Sequence, residues 1–150
     1  MEKIWDKVIK GLALVCGAIS GAFGGWNMLL TVMTAMMGID YVSGVMVAAL
    51  GKSLKTEHGG LNSKVGAQGL ARKGLMLLIV LVAALVDRAM GTGENICRDA
   101  VCWFYIANEG ISLLENMSLA GVPFPARLKE LLGHKRDESD NLLTEKKTEE

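Results

Sequence analysis

Residues 11–39 read GLALVCGAISGAFGGWNMLLTVMTAMMGI, 29 positions without an Asp, Glu, Lys, Arg or His. About 20 predominantly apolar residues carry a helix across a bilayer. A helix that is apolar all round must be buried in protein or in lipid. Beyond Asp40 the uncharged run resumes from Tyr41 to Gly51. Hydrophobic residues form 51% of the 150-residue chain, the upper edge of the soluble range. Their clustering, more than their amount, therefore points to an all-α integral membrane protein.

Working outward from this stretch gives four apolar segments. The first runs from Val8 to Phe23 and the second from Met28 to Leu50, with Gly24, Gly25, Trp26 and Asn27 as the turn between them. Trp26 suits a membrane–water interface. Residues 51–73 read as a polar loop. The third segment runs from Gly74 to Met90, is broken by Gly91-Thr92-Gly93, and is followed by a fourth from Asp99 to Met117. Pro123 and Pro125 end the helical pattern. The first segment is short and rich in glycine, so it reads as a tilted span, an interfacial helix or a re-entrant piece. Three to four transmembrane helices are expected in one domain over residues 1–133. A charged tail over 134–150, with Leu142 and Leu143 as its large apolar residues, lacks the surface to fold alone and is expected to be disordered.

Charge placement sets the orientation. Residues 51–73 carry Lys52, Lys55, Lys64, Arg72 and Lys73 against Glu57, a net +4. The connection from Asp87 to Asp99 carries Arg88 and Arg98 against Asp87, Glu94 and Asp99, a net −1. Further basic residues, Arg127, Lys129, Lys135 and Arg136, follow the fourth segment. Basic flanks stay in the cytoplasm. A four-span, multi-pass chain with a basic cytoplasmic loop and both termini in the cytoplasm satisfies this. Lys3, Lys7 and Lys10 ahead of an apolar run imitate a cleavable signal. Glu2 and Asp6 dilute that basic start, and the hydrophobicity continues to Ile39, so a retained segment is expected.

Several function classes drop out. A formal net charge of zero argues against nucleic-acid binding. Cys16, Cys97 and Cys102 have no metal-ligand spacing, and His58 and His134 lie in polar stretches without a nucleophile context. No catalytic residue, metal or cofactor is expected, and the chain is not read as an enzyme. A transporter is disfavoured by the short chain and the lack of internal duplication.

The residues that carry chemistry are polar groups in apolar surroundings. Asp40 interrupts the second segment, where an ionised carboxylate costs a few kcal/mol or more in lipid. It should face another helix, water or another subunit, as a structural hydrogen-bonding group or as part of a pore-forming face. Gly44 and Ala48 follow on the same helical face and permit close helix approach. Ala13, Gly17, Gly21 and Gly25 form a ladder of small residues at spacings of four, suited to packing within one chain or between copies. Asn108, Glu109, Ser112, Glu115 and Asn116 cover an arc of roughly 120° at 100° per residue. Either the lower half of that helix leaves the membrane, or its polar arc meets water in an assembly. Asp87 and Arg88 read as interfacial.

Several strings also resemble a known family. Asp40-Tyr41-Val42-Ser43-Gly44 resembles the Asp-Tyr-x-Thr-Gly signature of bacteriophage holins of the toxin-secretion/phage-lysis family, with Ser43 where threonine is common. Gly69-Leu70-Ala71-Arg72-Lys73 resembles that family's basic stretch before its third hydrophobic segment. The run from Asn108 to Asn116, NEGISLLEN, resembles its most distinctive motif, and Gly121-Val122-Pro123-Phe124-Pro125 its closing one. Together they cover residues 28–132. The resemblance implies a homo-oligomer in the bacterial cytoplasmic membrane of the host. It would open non-specific lesions at a set time and so release an endolysin or a large toxin. An antiholin is the further partner it suggests. A non-permeabilising membrane regulator, itself an antiholin or scaffold, is the alternative on the same motifs.

Overall fold

The computed structural model describes residues 2–56, 58–91, 93–123 and 125. Among them the chain is all-helical: α1 (Glu2–Ala22), α2 (Met28–Ala49), α3 (Ser63–Met90) and α4 (Ile96–Ala120). The expected tail and the basic residues from Arg127 onward lie outside the described residues.

Local chemistry sets the helix ends. Asn27 caps α2, its side chain accepting from the Leu30 amide at 3.0 Å. Asn62 caps α3 in the same way, accepting from the amides of Lys64 and Val65. At the start of α4, Asn95 makes no side-chain capping bond. The Asp87 carboxylate at the end of α3 does that work, accepting from the Cys97 and Arg98 amides at 2.8 and 2.9 Å. A negative charge at a helix N-terminus also complements the helix dipole. Gly91 and Gly121 close α3 and α4 at φ +66° and +93°, a conformation that favours glycine.

Two expectations need correction. α3 begins at Ser63, three turns before the expected Gly74. The polar loop is therefore shorter, and Lys64, Arg72 and Lys73 are helical. Hydropathy ends here before helicity does, because Gln68, Leu70, Ala71, Arg72 and Lys73 are good helix formers once Asn62 supplies a cap. The small-residue ladder also loses its last rung. α1 ends at Ala22, and Gly25 sits in the turn at φ +93°.

α4 packs along both α2 and α3, while α2 and α3 meet over a short stretch. There the Tyr41 ring lies over Gly66 and Gly69, and a methyl group on either glycine would stand 3.6–3.8 Å from it. α2 and α4 run parallel. Arg98 at the start of α4 binds the turn that precedes α2, and Asn116 near its end reaches Asp40 and Ser43. α3 runs antiparallel to both. One helical stripe of each faces inward: Leu30, Met33, Met37, Asp40 and Val47 on α2, Val80, Ala84 and Asp87 on α3, and Arg98, Cys102, Tyr105, Glu109 and Asn116 on α4. Leu30, Met33, Met37, Val80, Cys102 and Tyr105 form one apolar layer. α1 touches α3 alone, with Arg88 donating to the Gly21 carbonyl, and its residues 5–19 are exposed.

The outside of the bundle is apolar. Val42 and Met46 on α2, Leu78, Val82 and Leu85 on α3, and Trp103 and Phe104 on α4 are each at least half exposed. Asp40, Asp87, Arg98, Glu109 and Asn116 are buried. Charged groups inside and large apolar groups outside is the arrangement lipid favours and water does not. α2 and α3 are both long and apolar enough to cross a membrane.

Candidate functional site: a buried polar cluster among three helices

The Lys73 ammonium lies between two carboxylates. It donates to Asp40 Oδ2 of α2 at 2.9 Å and to Glu109 Oε2 of α4. The three side chains are 12%, 11% and 2% exposed, respectively. Asn116 completes the cluster from one face of α4, two turns beyond Glu109. Its Nδ2 donates to Asp40 Oδ1 at 3.1 Å, to the Asp40 carbonyl at 3.3 Å and to Ser43 Oγ at 2.8 Å. Ser43 Oγ in turn donates to the Asp40 carbonyl at 2.8 Å. Gly44 lies beside the amide, where a Cβ would stand in ordinary contact, 3.6 Å from Asn116 Nδ2. Charge-assisted bonds of this kind are roughly twice as strong as neutral ones. Leaving any member alone in an apolar interior would cost several kcal/mol.

A second polar cluster sits at the opposite end of the apolar layer. The Arg98 guanidinium, 2% exposed, donates to the carbonyls of Phe23, Gly24 and Gly25 at 3.0–3.2 Å and to Asp99 at 2.7 and 2.9 Å. It thereby ties the turn between α1 and α2 to the start of α4. Gly24 is required there. Its φ is +77°, and a Cβ would fall 2.5 Å from Asn95 Oδ1. From Arg98 to Glu109 the α4 axis rises roughly 16 Å at 1.5 Å per residue, so the two clusters bracket the apolar layer.

The structure divides the polar arc expected on α4. Glu109 and Asn116 point into the bundle, whereas Asn108 and Ser112 are half-buried and Glu115 is exposed on the neighbouring face. Of the packing candidates, Gly44 faces α4 and Ala48 is half-buried. Nothing stands within 4 Å of a Cβ built on Gly17 or Gly21, and Ala13 is exposed. Sequence reasoning missed Lys73 and Arg98 as members of the interior. Both had been counted as loop charges. The available signal was electrostatic: two carboxylates in apolar helices demand a cation, and Lys73 stands at the edge of an uncharged run from Gly74 to Val86. Asp87 and Arg88, read together as interfacial, also part company. Asp87 is 3% exposed, while Arg88 lies on the surface. Among the described residues there is no metal-ligating group of three or more.

Three of the strings that carry the family resemblance thus converge on one place: Asp40, Ser43 and Gly44 from the first, Lys73 from the second, Glu109 and Asn116 from the third. Comparison with known proteins agrees with them. Residues 17–136 match the model of the bacteriophage holin family. A "Probable holin" of Bacillus phage phi105 is 35% identical over 117 residues, covering 78% of this chain and 80% of that protein. An "Uncharacterized 14.9 kDa protein in nagH 3'region" of Clostridium perfringens is 36% identical, covering 88% and 95%. "Uncharacterized protein Lmo0128" of Listeria monocytogenes is 38% identical, covering 85% and 86%. No solved structure matches the chain. With a family match over most of its length and a phage holin among its relatives, the chain belongs to the bacteriophage holin family.

Proposed function

We propose that the protein oligomerises in the bacterial cytoplasmic membrane and opens non-specific lesions through which an endolysin reaches the cell wall. One observation carries this reading: a cluster of Asp40, Lys73, Glu109 and Asn116 sealed inside helices whose outer faces are apolar. The closed bundle is soluble in lipid because its polar groups satisfy one another. When the three helices separate, the same groups need water, and several copies that turn these faces toward a common centre supply it. Asn108, Ser112 and Glu115, on the adjoining face of α4, extend the wettable surface.

In this reading residues 1–133 form the membrane domain, with four crossings and the C-terminus in the cytoplasm. Lys52, Lys55, Lys64 and Arg72 hold their end of the bundle on the cytoplasmic side. The Ala13, Gly17 and Gly21 face of α1 is the surface for a second copy. The family's association with toxin release is a further use of the same lesion.

The test is expression from a tight inducible promoter with simultaneous records of membrane potential and culture density. Abrupt depolarisation after a lag, with lysis only when an endolysin is co-expressed, is the expected result. A second reading, a non-permeabilising regulator such as an antiholin, draws on the completeness of the closed state: among the described residues no buried polar side-chain atom lacks a partner. Insertion at equal levels with the potential intact would establish that reading and remove the first.

A further inference from the structure

We infer that the closed bundle binds one proton, shared between the carboxyl groups of Asp40 and Glu109. The first ground is the charge count. The cluster contains two carboxyl groups and one ammonium, all nearly buried. With both carboxylates ionised it carries a net −1 in an apolar interior, where an uncompensated charge costs several kcal/mol. The second ground is geometric and independent of the first. Both carboxyl groups bind the same Lys73 nitrogen, which holds them side by side. An ionised carboxylate only accepts hydrogen bonds. Two acceptors held on one ammonium repel each other. A single proton turns the repulsion into an O–H···O⁻ bond and leaves the cluster neutral.

Among the described residues no other cation is placed to supply the missing charge. α2 contributes Asp40 and the neutral Ser43, α3 contributes Lys73, and α4 contributes Glu109 and the neutral Asn116. Tyr105 lies one turn earlier on α4 and brings no cation, and α1 contacts neither α2 nor α4. Arg98 belongs to the other end of the apolar layer, where Asp99 and three carbonyls occupy it. The binding step is simple: one carboxylate oxygen takes up H⁺, and its new O–H donates to the other carboxylate, which keeps its bond from Lys73.

The test needs no lesion, so its failure is distinct from failure of the proposed function. The full chain, isotope-labelled at its Asp and Glu carboxyl carbons, is reconstituted in phospholipid vesicles at neutral pH. Infrared spectroscopy then counts protonated carboxyl groups by their C=O stretch. One protonated group per chain is expected in the wild type. Asp40→Asn and Glu109→Gln should each lose it, because one carboxylate then matches one ammonium. Lys73→Met should double it. Where Lys73→Met fails to fold, the two carboxamide variants decide the matter. A wild-type spectrum with no protonated carboxyl group, or one whose band survives in both Asp40→Asn and Glu109→Gln, overturns the inference.

Discussion

Replacing Lys73 with glutamine tests the cluster at its centre. The substitution keeps a hydrogen-bond donor and removes the charge. Lys73 makes two charge-assisted contacts, to Asp40 and to Glu109, and removing one partner of a buried ion pair destabilises by about 3–5 kcal/mol. At 1.4 kcal/mol per factor of ten, the ratio of closed to open bundle should fall roughly 100-fold or more. Arg72 is the control, since it carries the same charge one residue earlier on the exposed side of α3. Arg72→Gln should leave the closed state unchanged, as surface substitutions mostly do. The assay is unfolding of the purified chain in mixed micelles, followed by helical circular dichroism against the mole fraction of denaturing detergent. Equal midpoints for Lys73→Gln and wild type would refute the buried triad. Equal losses for Lys73→Gln and Arg72→Gln would reduce Lys73 to an ordinary basic flank.

Other substitutions probe the supports of the fold. Gly24→Ala places a Cβ against Asn95 Oδ1 at a positive φ, so it should destabilise by about 1–3 kcal/mol, read as a lower unfolding midpoint in the same micelles. Asp87→Ala removes the carboxylate that caps α4. About 1 kcal/mol should be lost, with faster hydrogen exchange at the amides of Cys97 and Arg98 than at the middle of α4. Among the described residues nothing lies within 4 Å of a Cβ at position 17, so Gly17→Ile should leave the monomer's unfolding midpoint in place while lowering the yield of cross-linked oligomers in membranes. A lowered midpoint with unchanged cross-linking would assign that face to packing within one chain.

Much of this architecture is legible in the sequence because lipid imposes simple rules. An uncharged run long enough to span, broken by the turn of Gly24, Gly25, Trp26 and Asn27, fixes α2 and the turn before it almost to the residue. Asp40 stands out because a carboxylate is costly where it lies. What pairs with it is another matter. Lys73 is 33 positions away, and Arg72-Lys73 reads like any basic flank beside a membrane span. The two residues differ only in the direction each points from α3, and a start of α3 misplaced at Gly74 conceals that direction. The same holds for α4, where a single polar arc divides into an inward pair, Glu109 and Asn116, and an outward face. The small residues of α1 show the opposite limit. Their pattern is plain in the sequence, but apart from Gly21, whose carbonyl accepts from Arg88, the described chain lays nothing against them.

The central claim is that the polar cluster is hidden from water in the closed bundle and lines water in the lesion. The direct measurement is labelling of Ser43→Cys, in a chain whose three native cysteines are replaced by alanine, with a membrane-impermeant thiol reagent before and after the membrane potential collapses. Val82→Cys, on the exposed apolar side of α3, serves as the reference. The account predicts that position 43 is unreactive before the collapse and reactive after it, while position 82 is unreactive throughout. Reactivity at position 43 from the outset, or continued silence there after depolarisation, would contradict it.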